Sequence, residues 1–269
     1  MTPQSPDAGA ARNGKTTACV LGSGSRGNAV YISDGTTAIL VDAGFSAREI
    51  DRRLRDREID PAGFKALLIT HEHTDHVKGV ERLVRRHRLP VYLTAGTGRS
   101  VDPDGVLPDV VPFACGREFR IGTLTVRPFS ISHDAGDPAG FTVTANGIRI
   151  GIATDLGQPT ALVRDHLQGC RVLILESNHD PDMLMNGPYP WFLKQRIRSR
   201  TGHLANQETG RLLSDILHPG LERVVLAHLS ETNNTPDKAL GEMAALFTGT
   251  PVRFDAASQG DPSPLLTLA

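Results

Sequence analysis

The chain has 269 residues, of which 39% are hydrophobic and 22% charged, values that are ordinary for a globular protein. Its formal net charge of -1 excludes a global basic field, so any affinity for a polyanion must come from local patches. The three cysteines are widely spaced and form no C-x-x-C pair, and no apolar run approaches the ~18 residues of a membrane span. We therefore expect a cytoplasmic protein with no membrane contact.

The secondary structure predicted along the chain alternates between strands and helices. Residues 1–15 are polar, small and lack an apolar segment, which predicts a disordered tail before a single folded domain at 16–269. Short β-branched runs predict strands at 16–21, 28–33, 37–42, 65–70, 123–129, 140–145, 148–154, 171–176 and 223–228. Apolar periodicity and capping residues predict helices at 46–54, 76–88, 159–167, 190–199, 205–217 and 235–247. Asn146-Gly147 predicts a tight hairpin turn, and the whole pattern favours a layered α/β domain with mixed sheets over a doubly wound parallel one.

Residues 70–76, THEHTDH, come at the end of the predicted strand at 65–70 and carry three imidazoles together with the carboxylate of Asp75. His71 and His73 are two apart, so in extended chain they point the same way and can bind one ion. Asp75 and His76 come where the chain turns into a helix and can bind a second ion. So many titratable groups repel one another unless a cation neutralises them. The spacing also differs from the helical H-E-x-x-H of the zincins. Because the two pairs of ligands can each bind an ion, the segment predicts a dinuclear site.

The H-x-H-x-D-H motif resembles the signature of the metallo-β-lactamase superfamily. That resemblance implies an α/β fold of four layers, an αββα sandwich in which helices flank two mixed β-sheets. It also implies two divalent ions, Zn or Mn with Fe as a further option, and three more ligands at the ends of later predicted strands. The implied set gives one metal His71, His73 and His133, gives the other Asp75, His76 and His228, and makes Asp155 the bridge. A bridging carboxylate in place of a thiolate disfavours antibiotic hydrolysis.

Five further segments resemble the YycJ/WalJ family, metallo-hydrolases related to the RNase Z and RNase J nucleases. They are GSGSRGNA at 22–29, ESNHDPDML at 176–184, YPWFLKQRI at 189–197, GHLANQ at 202–207 and LAHLSETNN at 226–234. The resemblance implies a metal-dependent nuclease acting on DNA. Asp155 and His228 are only 73 positions apart, which leaves no room for the inserted clamp domain of RNase J-like enzymes.

The resemblance also implies the residues that act on the substrate. Glu176 and His203 resemble the RNase Z pair in which a carboxylate orients an imidazole that stabilises or protonates the leaving oxygen. Asp75 would bind a metal and accept a proton from the attacking water. The Gly/Ser-rich loop at 22–29 can approach an anion through its backbone N–H groups, and a plain hairpin turn is an equal alternative there. Candidate phosphate contacts are Ser23, Ser25, Asn28, Asn178 and His179.

The sequence thus predicts a dinuclear-metal phosphodiesterase, a nuclease of the DNA 5′–3′ exonuclease type that uses a metal-bridging hydroxide. Nucleic acid is the expected partner, with DNA favoured over RNA. Two alternatives remain open. One is a small-molecule ester, thioester or lactone hydrolase of the glyoxalase II type, which would use the same ligands. The other is a structural metal site without catalysis, which seven His and Asp ligands without a thiolate disfavour.

Overall fold

The computed structural model describes residues 14–268, which form fourteen strands and nine α-helices. The strands are β1 (Thr16–Gly22), β2 (Ala29–Ser33), β3 (Ala38–Val41), β4 (Phe64–Leu68), β5 (Val91–Thr94), β6 (Val110–Phe113), β7 (Phe119–Ile121), β8 (Leu124–Ser130), β9 (Ala139–Ala145), β10 (Ile148–Ala153), β11 (Val172–Glu176), β12 (Arg223–Ala227), β13 (Arg253–Ala256) and β14 (Leu266–Leu268). The helices are α1 (Ala47–Arg55), α2 (Thr74–Val77), α3 (Val80–His87), α4 (Ala95–Val101), α5 (Ala161–Leu167), α6 (Pro181–Asn186), α7 (Trp191–Ile197), α8 (Asn206–Ile216) and α9 (Pro236–Leu246).

The strands form two mixed sheets of seven strands each. The first sheet has the order β14-β1-β2-β3-β4-β5-β6, and the second has the order β13-β12-β11-β10-β9-β8-β7. In each sheet, three neighbouring pairs are antiparallel and three are parallel. The parallel pairs are joined through helices, as parallel strands require. The predicted mixed sheets are therefore confirmed.

Three apolar clusters divide the molecule into four layers. The central cluster joins the inner faces of the two sheets, with Val20 and Ile39 from one and Phe141 and Ile174 from the other. A second cluster packs α1 and α3 on the outer face of the first sheet, and a third packs α5, α8 and α9 on the outer face of the second. Both faces of each sheet are thus buried, which explains why most strands read as continuous apolar runs. This is the αββα sandwich that the family resemblance implied.

Each strand and helix predicted from the sequence overlaps an observed one, with one helix interrupted. The helix predicted over 76–88 is broken into α2 and α3 at Gly79, whose N–H donates to the Ala43 carbonyl at 2.8 Å. A Cβ at Gly79 would lie 2.0 Å from the Phe45 carbonyl oxygen, so the break allows close backbone packing. Asn146 and Gly147 both have positive φ, as the predicted hairpin turn requires.

The sequence analysis missed several short elements. These are the strands β5, β6, β7, β13 and β14 and the helices α4 and α6.

Most of the predicted tail lies outside the described residues and stays a prediction, as does the single domain at 16–269. Gly14, near the end of that segment, accepts a hydrogen bond from the Asn146 side chain at 2.7 Å. Between residues 14 and 268, none of the helices combines the length and the apolar character needed to cross a membrane.

Candidate metal centre and active site

The predicted ligands of the first metal come together after β4 and β8. His71 Nε2 lies 3.0 Å from His73 Nδ1, which in turn lies 3.2 Å from His133 Nε2. Two ligands of a tetrahedral ion, each at ~2.0–2.1 Å from the metal, stand roughly 3.3 Å apart. The three imidazole nitrogens therefore have a spacing that suits one divalent ion.

The predicted ligands of the second metal meet beside the first group. Asp75 Oδ2 lies 3.6 Å from His76 Nε2 and 3.5 Å from His228 Nε2. His76 and His228 are buried, whereas Asp75 keeps part of its side chain open to solvent. The buried His228 Nε2 has no hydrogen-bond partner among the described residues, which is costly in the interior unless a cation binds there.

Asp155 lies between the two groups with one oxygen toward each. Its Oδ2 is 3.1 Å from His76 Nε2, and its Oδ1 is 3.7 Å from His133 Nε2. Burial opposes ionisation, but His228 and His76 hold the pKa of this carboxyl well below its usual range. Oδ2 receives no hydrogen bond of proper geometry from the described residues, although His76 Nε2 lies 3.1 Å away. The donor set and its unpartnered buried atoms fit two divalent ions, and the assignment of individual ligands remains a proposal.

Hydrogen bonds on the far side of four rings aim their other nitrogens at the centre. Nδ1 of His71 lies 3.0 Å from Thr70 Oγ1, and Nδ1 of His76 lies 2.8 Å from Asp42 Oδ2. Nδ1 of His133 lies 3.3 Å from the Gly202 carbonyl oxygen, and Nδ1 of His228 lies 2.9 Å from Glu176 Oε1. An acceptor at Nδ1 selects the tautomer in which Nε2 carries a free lone pair. The local structure therefore prepares these imidazoles for metal binding.

Glu176 is a buried carboxylate that accepts five N–H groups. Its Oε1 accepts from the rings of His203 and His228, both at 2.9 Å, and from the Asp155 backbone at 3.2 Å. Its Oε2 accepts from the backbone of Leu156 and Leu204. Burial opposes ionisation, but the two imidazoles bring the pKa of the carboxyl to about 2. With both oxygens used by these donors and no exposed surface, Glu176 orients the groups around it and does not line the cleft described below.

Three residues at the centre have the left-handed backbone conformation that non-glycine residues rarely adopt. They are Asp42, Asp155 and His228, with φ of 62°, 56° and 55°. Each directly follows a strand end or lies one residue beyond it. Such conformations cost about 1–3 kcal/mol each and persist where the surrounding structure enforces them, often at functional sites. Here they turn the side chains of three strands toward one point.

Asp42 is a functional residue that the sequence analysis missed. It follows β3 and accepts hydrogen bonds from the Thr70 backbone at 2.8 Å and from the Thr70 hydroxyl at 2.9 Å. Its Oδ2 also faces His76 Nδ1, so it links the ligand segment to the first sheet. The signal that would have found it is the one that found Asp155, an acidic residue directly after a buried strand.

The predicted phosphate contacts lie at different depths. Ser25 lines the cleft described below, whereas the other four side chains are buried. Ser23 accepts a hydrogen bond from the His228 backbone at 2.8 Å, and Asn178 donates to the carbonyl of His228 at 2.9 Å. Asn28 Nδ2 lies 3.0 Å from His76 Nε2. Their positions indicate that Ser23, Asn28 and Asn178 support the ligands, which leaves Ser25 as the member placed to meet substrate.

His179 is the remaining predicted contact, and it is also buried. Its exposed fraction is 2%, and burial lowers the pKa of its imidazole to about 4. Its Nδ1 has no hydrogen-bond partner among the described residues. Its backbone pairs with Ala205, two residues after His203, through the bridge His179↔Ala205. His179 is therefore close in the fold to the segment that carries the candidate acid, but it does not line the cleft.

An open cleft of about 330 Å³ covers the metal centre. The ligands that reach it are His73, Asp75, His133, Asp155 and His228. The others at its wall are Ser25, Thr74, Asp134, Leu193, Arg196, Ile197, Gly202 and His203. With its Nδ1 committed to Glu176, His203 keeps Nε2 for a substrate in the cleft, which is the geometry of a proton donor.

Comparison with known proteins identifies the family. The model of the beta-lactamase superfamily domain matches residues 37–229. The exodeoxyribonuclease YycJ of Bacillus anthracis is 34% identical over 82% of this chain and 84% of its own. The exodeoxyribonuclease WalJ of Streptococcus pneumoniae is 32% identical over 87% of this chain and 91% of its own. The chain belongs to the YycJ/WalJ family of the metallo-β-lactamase superfamily. The predicted resemblance is confirmed, and with it the prediction of a hydrolase.

Other matches cover a smaller part of the chain or are similar to it only in fold. The metallo-β-lactamase fold protein YhfI of Bacillus subtilis superimposes with a TM-score of 0.73 and 16% identity, covering 92% of this chain and 99% of its own. That likeness supports the four-layer fold. A hydroxyacylglutathione hydrolase of Halorhodospira halophila is 43% identical over 60 residues, which is 22% of either chain. Membership of the fold family implies binding of divalent metal, in agreement with the His and Asp cluster.

Proposed function

We propose that this protein is a two-metal exonuclease that hydrolyses phosphodiester bonds at the end of a DNA strand. The observation that carries the proposal is His203, an imidazole held by Glu176 at the cleft wall beside the ligand cluster. Hydrolysis of a phosphodiester has to release an alkoxide, and a positioned imidazole can protonate it. The names of two relatives, both exodeoxyribonucleases, support a DNA substrate in preference to RNA.

The proposed roles follow from the position of each side chain. The metals would be held by His71, His73, Asp75, His76, His133, Asp155 and His228. Zn²⁺ or Mn²⁺ fits this donor set, with iron as a further option, and two such ions would lower the pKa of a shared water and stabilise negative charge on phosphate oxygens.

The chain's own residues then move protons and hold the strand. Asp75, a ligand that reaches the cleft and keeps part of its carboxylate open to solvent, takes up the proton of the attacking water. His203 gives a proton to the leaving oxygen from Nε2, while Glu176 holds its other nitrogen. Arg196 lines the cleft with 60% of its side chain exposed, and we assign the guanidinium nitrogens that are not bonded to Asp134 to a phosphate oxygen of the strand. A cytoplasmic location, expected from the cysteine usage, remains a prediction.

The decisive experiment compares substrates on protein loaded with Mn²⁺ or Zn²⁺. End-labelled duplex DNA, single-stranded DNA and RNA of one sequence would be incubated beside a chromogenic thioester. We expect mononucleotide release from DNA and slower release from RNA. Fast hydrolysis of the thioester with intact DNA would instead support the glyoxalase II-like alternative, which the 60-residue match favours.

A matched pair of variants tests whether the metal centre performs the reaction. Asp75→Asn removes the proposed proton acceptor and one ligand charge, so we expect nuclease activity to fall by at least about 10²-fold. Asp215→Asn is the control, since Asp215 pairs with Arg164 and is half exposed. Full activity in Asp75→Asn, with an unchanged circular dichroism spectrum, would refute the proposal.

A further inference from the structure

Helix α7 presents large apolar side chains to solvent beside the cleft. Phe192 is 71% exposed and Trp191 is 58% exposed, the highest values among the large hydrophobic residues that the structure describes. None of the seven residues of α7, all of which are described, is buried. A helix without any buried residue gains little from packing, so its exposed rings need another explanation.

The opposite side of α7 forms part of the cleft. Leu193, Arg196 and Ile197 line it, and they share a helix face because they are three and four residues apart. Phe192 precedes Arg196 by one turn and therefore borders that face at the rim of the cleft. The C-terminal end of α7 is joined to the candidate acid, since the N–H of His203 donates to the Ile197 carbonyl at 2.8 Å. Phe192 thus borders the face of α7 that lines the cleft, whereas Trp191, one position earlier, lies farther round the helix from that face.

The charge of this segment is suited to nucleic acid. Residues 187–203 contain four Lys and Arg and no Asp or Glu. Arg196 pairs with Asp134 at 2.7 Å, while Lys194 donates to the Met185 carbonyl at 2.8 Å. Both cations are therefore held close to the helix surface. Aromatic rings beside cations are the combination with which proteins bind unpaired strands, because every base has a face that can stack.

We propose that α7 is a stacking platform for unpaired nucleobases next to the bond that is cut. It holds the frayed or single-stranded end of a DNA strand, with Phe192 at the rim of the cleft and Trp191 beside it at the helix start. This proposal rests on the proposed nuclease function and names the form of its substrate. The bound end of the strand must have unpaired bases, because an aromatic ring can stack on the face of an unpaired base but not on one that is enclosed in a duplex.

Abasic tails separate stacking from electrostatics. Two duplexes would carry tails of equal length and charge, one with bases and one made of abasic analogues. For the wild-type protein we expect KM to be about tenfold lower with the base-containing tail. Phe192→Leu keeps an apolar side chain but loses the ring, so this discrimination should disappear, whereas Phe192→Tyr should retain it. Leu162→Ala removes an exposed apolar side chain on α5 and is the control.

The only tryptophan of the chain gives a second readout that does not depend on catalysis. Trp191 fluorescence should be quenched when the single-stranded oligonucleotide binds and should respond less to the abasic one. If DNA is cut and the two tails give equal KM and equal quenching, the platform proposal is overturned while the nuclease function stands. If base-dependent quenching occurs with no cleavage, the nuclease function fails and the platform stands.

A second copy of the chain is the other occupant that exposed rings and arginines suit. Sedimentation velocity of the wild type and of Phe192→Leu, without DNA, would detect it. We expect the same sedimentation coefficient for both. A wild-type dimer that becomes a monomer in Phe192→Leu would assign α7 to self-association and overturn the proposal.

Discussion

Replacing Glu176 by Gln tests the central positioning residue of the metal centre. The substitution keeps the shape of the side chain and changes one oxygen into an NH₂ group. Glu176 receives three N–H groups at Oε1 and two at Oε2, so in either orientation the amide opposes at least two donors. Hydrogen bonds to a charged group contribute ~1.5–3 kcal/mol each, and breaking a buried charged pair costs about 3–5 kcal/mol. We expect the free energy of unfolding to fall by about 2–5 kcal/mol.

The same substitution should weaken metal binding. His228 Nδ1 loses its charged acceptor, so its ring is no longer held in the tautomer that leaves Nε2 free. Loss of a group that orients a ligand typically costs 10- to 100-fold in metal affinity or activity, and we expect a loss of about this size. Urea unfolding measures stability, and titration against a competing chelator measures metal affinity.

The control and the refuting result follow from the position of the residue. Glu118→Gln removes an exposed carboxylate that pairs with Arg127, and it should leave both quantities unchanged. If Glu176→Gln is destabilised but binds metal and hydrolyses DNA like the wild type, Glu176 has only a structural role. The argument that it orients the two imidazoles would then be wrong.

Three further substitutions separate the other roles. His203→Ala should retain both ions but lower kcat on DNA about 10²-fold or more, and loss of an ion by elemental analysis would contradict its assignment as proton donor. His228→Ala should lower the metal content from two ions per chain toward one, so two retained ions would show that another residue is the ligand. Asp42→Asn should weaken metal affinity about 10-fold or more, because His76 loses the carboxylate at its Nδ1. Isothermal titration of the metal-free protein would detect this change, and an unaltered affinity would remove Asp42 from the centre.

The local sequence determined much of the secondary structure and most of the site. Apolar β-branched runs identified β3 and every strand of five or more residues, since a strand buried on both faces has a continuous apolar pattern. The edge strands β6 and β7 escaped because they are only four and three residues long and largely exposed or half-buried, which leaves too little pattern to detect. The seven predicted ligands came from the H-x-H-x-D-H motif and from the family resemblance, which implies His133, Asp155 and His228 at the ends of later predicted strands.

Only the tertiary structure shows which side chains hydrogen-bond to one another and which of them are buried. Nothing in the sequence places Asp42 beside His76, because 34 residues separate them and two parallel strands bring them together. The hydrogen bond between Glu176 Oε1 and the His228 ring likewise depends on the pairing of β11 with β12, which brings residues 176 and 228 together. Burial could not be read from the chain either: it withdraws Ser23, Asn28, Asn178 and His179 from the expected phosphate contacts, and the first three support the ligands instead.

The sequence by itself therefore determined the family, the chemical class of the ligands and the strands that carry them, because these depend on residue type and local spacing. The three-dimensional arrangement decided which hydrogen bonds hold these side chains and how far α7 is exposed beside the cleft. Both depend on how two sheets pack against each other, and that packing brings together residues that are far apart in the chain.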